Sequence, residues 1–127
     1  MTGGAERAAQ PRSFRLERDP AQGMGPSSIF PPEAFTTADL TETDFTAYAN
    51  ADESVTAGVW ECAPCREEMT DFPVNELMTI ISGSVTLTHP DGRAETFGPG
   101  DTLFVPKGSA LTWEITQTLR KFYMIAS

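Results

Sequence analysis

Glu76 is the residue of this sequence best placed to do chemistry. It opens a short apolar run, Glu76 to Ile81, whose alternation puts Glu76, Met78 and Ile80 on one face of a strand. A carboxylate turned into an enclosed space loses its solvent, which favours the neutral form and suits general acid or base work. The competing role is structural, with Glu76 hydrogen-bonded to a tyrosine, a tryptophan or a backbone amide. Trp60 and Trp113 are suited to be the aromatic walls of a site for a small organic ligand or sugar ring, although either alone is also an ordinary core residue. Leu111, Trp113 and Ile115 share one face of their strand, and Lys121 and Tyr123 share one face of the last. For Lys121 a solvated or salt-bridged cation is expected ahead of a base or anion binder.

The other candidate chemistry is weaker. Cys62-Ala-Pro-Cys65 is a C-x-x-C motif, but redox pairs of this type open a helix after a strand, and no βαβ pattern surrounds it. A second cysteine pair or a histidine pair, needed for a four-ligand zinc site, is lacking. A structural role is expected, with a thiol contribution to a metal or redox site as the alternative. His89, the single histidine, falls in a hairpin turn, so no Ser–His or Cys–His pair can be assembled.

These side chains need a scaffold, and the chain reads as short strands divided by glycine and proline. Strands are predicted at Val55 to Glu61, Glu76 to Ile81, Ser84 to Thr88, Ala94 to Phe97, Leu103 to Val105, Leu111 to Ile115 and Leu119 to Ile125. His89-Pro-Asp-Gly92 and Gly98-Pro-Gly-Asp101 supply the turns, with Asp101 capping the second. Helical signal is confined to residues 33–50, where periodicity is weak and threonine frequent. Many short strands with regular turns mean an all-β sandwich or barrel.

The chain has 127 residues, enough for one domain. Its net charge is −9, which argues against nucleic acid or an anionic membrane as partner. No apolar run is long enough to span a bilayer. Residues 1–28 carry Arg7, Arg12, Arg15 and Arg18, with little to bury, and read as a flexible or loosely attached arm ahead of a domain over 29–127, with packing against a partner subunit as the alternative. The segment has no apolar stretch of a secretory signal, and Glu6, Glu17 and Asp19 break the pattern of a mitochondrial leader. The default compartment is the cytoplasm. The acids of residues 29–64, among them Glu33, Asp39, Glu42 and Asp44, are expected to form a solvated face.

Gly100, Pro106 and Gly108 stand in the spacing G-x5-P-x-G, and Glu76 is followed after six residues by Gly83. Together they resemble the two signature motifs of the cupin superfamily. Gly58-Val-Trp60-Glu61, Asn75-Glu76, Trp113-Glu114 and Arg120-Lys-Phe-Tyr123 are similar to the small single-domain cupins related to ethanolamine-utilisation cupins and ureidoglycine aminohydrolase. The resemblance covers about residues 55–125. It implies a jelly-roll β-barrel (a double-stranded β-helix) whose cavity is lined by the face carrying Glu76. Metal-binding cupins supply three histidines and a glutamate. Here the first two histidine positions fall on Thr70 and Phe72, or Met69 and Asp71, and the third on Leu111, so the usual cupin metal is expected to be missing. Glu76 with Asp71 would make only a sparse site for a hard cation.

Three functions follow. The first is a cupin that binds a small organic molecule through Trp60, Glu76, Met78, Leu111, Trp113 and Tyr123, with no resident cofactor. The second is an enzyme on a small nitrogenous or carbohydrate metabolite, with Glu76 as general acid or base. The third is a structural or accessory dimer with a filled barrel. A homodimer is expected, because jelly rolls leave strand edges that association can cover.

Overall fold

The computed structural model describes residues 11–127. Eight antiparallel strands and one short 3-10 turn follow one another in chain order: β1 Gly25–Pro26, then the turn Pro32–Ala34, β2 Glu42–Ala49, β3 Val55–Cys62, β4 Cys65–Met69, β5 Asn75–Thr88, β6 Ala94–Phe97, β7 Thr102–Val105 and β8 Leu111–Ala126. Strands β5 and β8 are long and serve two sheets. Their halves Asn75–Thr79 and Phe122–Ala126 pair with each other, with β7 outside β5 and β3, β2 and β1 outside β8. Their other halves pair with β6 and β4. Two sheets joined by shared, bent strands make the jelly roll.

The bend in β5 has a visible cause. Register shifts fall between Ile80 and Val85, around Gly83 at φ +79°. A Cβ there would sit 1.9 Å from the Thr118 carbonyl oxygen, so only glycine lets β5 cross β8 at that point. The runs Glu76 to Ile81 and Ser84 to Thr88, separate in the sequence reading, are therefore one strand, as are the last two.

Residues 33–50 are not helical beyond Pro32–Ala34. Most of their second half is β2, paired along its length with β3. β-branched threonines lose rotamer freedom in a helix and fit a pleated sheet, and the β3 edge decides the matter. Residues 1–10, the first part of the expected arm, lie outside the described residues. The rest of it is hydrogen-bonded to the barrel: Gly25–Pro26 pair with β2, and Arg120 donates to the Arg18 carbonyl and to Asp19. The core between the sheets holds Met78, Ile80, Val85, Trp113, Ile115 and Leu119. No helix among the described residues is long and apolar enough to cross a membrane.

Candidate functional site

Strand register assembles the site in rows. Asp44, Trp60, Lys121 and Ile80 are successive partners across β2, β3, β8 and β5. The next row is Thr46, Gly58, Tyr123 and Met78, and Thr56, Ile125 and Glu76 form the one beyond. Alternation sends all three rows to the inside of the barrel. Gly58 leaves the space that the Tyr123 hydroxyl needs, since a Cβ there would lie 2.8 Å from it.

Inside the barrel is an open cavity of about 330 Å³. Phe30, Trp60, Phe72 and Trp113 supply its aromatic walls, Ile29, Val74 and Ile125 its apolar rim, and Asp44, Glu76, Lys121 and Tyr123 its polar groups. Phe30 packs on both tryptophans with ring centroids 6.0 and 6.3 Å away, and the tryptophans meet edge to face at 6.3 Å.

Lys121 is the centre of the floor. Its Nζ donates to Glu76 Oε2 at 2.6 Å and lies 4.6 and 4.8 Å from the ring centroids of Trp60 and Trp113. Both members of the pair are buried. The ammonium is thus held by one carboxylate and two aromatic faces. Glu76 is neither the lone desolvated carboxylate nor the acceptor of a tyrosine, tryptophan or amide bond that the sequence led us to expect. Its partner is a cation, which offsets the loss of solvent.

A second buried carboxylate shapes the wall. Glu42 accepts from Ser27 Oγ, from the backbone N–H groups of Ile29 and Phe30 at 2.9 and 3.0 Å, and from Trp60 Nε1 at 3.0 Å. Burial alone would push its carboxyl up, but these bonds, led by that from Phe30, hold it below its ordinary value. Glu42 therefore departs from the solvated acidic face expected of residues 29–64. At the mouth, Tyr123 donates to Asp44 Oδ1 at 2.7 Å, and Thr46 donates to Asp44 Oδ2 at 2.9 Å. Burial, with the Asp44 carboxylate adding to it, pushes the Tyr123 phenol well above its ordinary value, so it stays a donor.

Of the residues named from sequence, Trp60, Glu76, Trp113 and Tyr123 meet at the cavity. Met78 and Leu111 are buried but off its wall, Met78 lying beneath the pair with its sulfur 3.7 Å from Lys121 Nζ. Lys121, named for its parity with Tyr123 and expected as a solvated or salt-bridged cation, is salt-bridged, while Phe30, Asp44, Glu42 and Phe72 were not singled out as site residues. Cys62 and Cys65 are fully buried free thiols 4.0 Å apart, outside the cavity lining. Their mutual hydrogen bond, then burial, pushes the Cys62 thiol far above its ordinary value.

The chain belongs to the EutQ-like cupin domain family, whose model matches residues 49–123. It is similar to a Pseudomonas syringae protein of unknown function in the DUF861 family, at 28% identity and TM-score 0.76; the match covers 87% of this chain and 46% of that one, so the chain spans about half of that protein's length. It is also similar in fold to a putative ethanolamine utilization protein Q from Salmonella typhimurium (20% identity, TM-score 0.57, 68% of this chain and 69% of that one). A third similar fold is the polyketide cyclase RemF from Streptomyces resistomycificus (20% identity, TM-score 0.61, 91% and 80%). No curated protein matches the chain.

The residues present do not fit the metal that many cupins carry. The glutamate at the metal-ligand position is engaged by Lys121, and Phe72, Met69 and Leu111 offer no imidazole. Thr70 and Asp71 are exposed. Among the described residues no three His, Cys, Asp or Glu side chains converge.

Proposed function

We propose that this EutQ-like cupin domain binds a small organic metabolite in its barrel cavity, without a His-ligated metal. The observation that carries the reading is the floor: an ammonium–carboxylate pair set against Trp60 and Trp113 at the base of an open, aromatic-walled space. Such a space is at the small end of ligand pockets, and its few polar groups are of the kind that fix a ligand's orientation. A cavity of this size favours binding or catalysis over the filled barrel of an accessory protein. The enzymatic reading, with Glu76 as acid or base, draws support from the proton donor 2.6 Å away in Lys121.

A thermal-shift screen of a metabolite library tests the reading. A ligand at a hundred times its Kd adds about 2.7 kcal/mol of stability, which raises the melting temperature by several degrees. Its binding changes the emission of the two wall tryptophans. A broad library in which no compound does either contradicts the reading. Turnover of a hit that is abolished in Glu76→Gln moves the assignment to the enzyme.

For self-association we propose the outer face of the sheet, where Phe104, Leu77 and Met124 are exposed cross-strand neighbours. Phe104→Asp is expected to shift a dimer to monomer by light scattering; an unchanged mass would remove this face from consideration.

A further inference from the structure

We infer that the ligand is an organic monocation, a primary amine with a flat apolar body; this rests on the cavity-binding reading above. The charges around the cavity do not cancel. Lys121 is matched by Glu76 at 2.6 Å. Asp44, also on the lining, has two hydroxyl donors, Tyr123 and Thr46, and forms no salt bridge among the described residues. It is partly accessible, whereas Glu76 is buried.

Asp44 stands one strand from Trp60 and two from Lys121 in the same row, so roughly 10 Å separates it from the lysine's backbone. An ammonium group at the mouth meets Asp44 first and lies away from the ammonium already on the floor. Its apolar body then extends between Phe30, Trp60, Phe72 and Ile125. A carboxylate ligand would face Asp44 and Glu42 behind the wall, with its one cation already engaged. The net charge of −9 also draws cations toward the mouth. A hydroxyl group can hydrogen-bond to Asp44 but leaves its charge unmatched, whereas an ammonium adds the attraction of an opposite charge, which is stronger in a partly buried site than in water.

Calorimetric titration with three probes of nearly equal shape tests the inference: 2-phenylethylammonium, 2-phenylethanol and 3-phenylpropionate, at low salt. The amine is expected to bind at least about tenfold more tightly than the alcohol, with the acid weakest. Asp44→Asn keeps an oxygen for the Tyr123 hydroxyl and is expected to erase the amine's advantage. Asp39→Asn, an exposed change outside the lining, should leave it intact. Equal or tighter binding of the alcohol or the acid overturns the inference, as does an amine preference that survives in Asp44→Asn. If none of the three binds and the metabolite screen yields only neutral or anionic ligands, the cation class falls and the cavity reading stands. If both are silent, both fall.

Discussion

Glu42 and Glu76 are equally buried, each 6% exposed, yet they are held in opposite ways. Glu42 is surrounded by neutral donors: two backbone amides, a serine hydroxyl and an indole N–H. Glu76 is held by a single ammonium. The difference separates wall from floor. Glu42 ties Ser27, Ile29 and Phe30 to Trp60, so it fixes the N-terminal segment as one side of the cavity. Its Oε2 accepts three of those bonds and its Oε1 the fourth. Glu76 and Lys121 form a self-compensated pair on the floor, where a ligand with polar groups can meet them. Buried charge of the first kind is architecture; of the second, it is a pair whose partner can be shared.

Breaking the floor pair should have the largest effect. Lys121→Met leaves Glu76 buried without its cation and is expected to cost about 3–5 kcal/mol in urea unfolding. The double variant Lys121→Met with Glu76→Gln should recover much of that loss, because neither charge is then stranded. A double variant no more stable than the single one would show that the two side chains are not coupled. Breaking the wall should cost less: Glu42→Gln retains one acceptor oxygen, and a loss of about 1–2 kcal/mol is expected.

The same variant sharpens the comparison through pH. The folded-state carboxyl of Glu42 lies below its ordinary value of 4.5, so the unfolded chain binds the proton more readily. Its contribution is complete above about pH 4.5 and is lost as pH falls through the lowered folded value. Denaturation series across that window should show a shallower acid loss for Glu42→Gln than for the wild type; identical slopes would remove Glu42 from the account. The smallest effect belongs to the mouth. Tyr123→Phe removes the bond to Asp44, which keeps Thr46, and about 1 kcal/mol is expected in the same assay.

Much of the fold was legible because its strands alternate and its turns carry glycine, proline and aspartate. The segment 33–50 was not, and β2 shows why. Its inward residues are Glu42, Asp44 and Thr46, whereas Phe45 and Ala47 face out, beside Phe14, Leu16 and Val59. A strand that lines a polar site while a terminal segment covers its back reverses the usual pattern of apolar in and polar out. That reversal also hid Glu42 among acids that looked solvated. Trp60, Glu76, Trp113 and Tyr123 were accessible to sequence reasoning because motif and parity agree on them. Lys121 had the parity and was expected as a solvated or salt-bridged cation, but its burial and its partner were not legible, since a lysine is rarely buried unless paired and that partner lies 45 positions away.

Glu76 held by Lys121 and not by a metal defines the floor of the cavity, and metal content tests that most directly. Tag-free protein purified without chelator should contain far less than one equivalent of any transition metal by elemental mass spectrometry, in the wild type and in Glu76→Gln alike. One equivalent in the wild type, lost in Glu76→Gln, would contradict the ion-pair floor and make the cavity a metal centre.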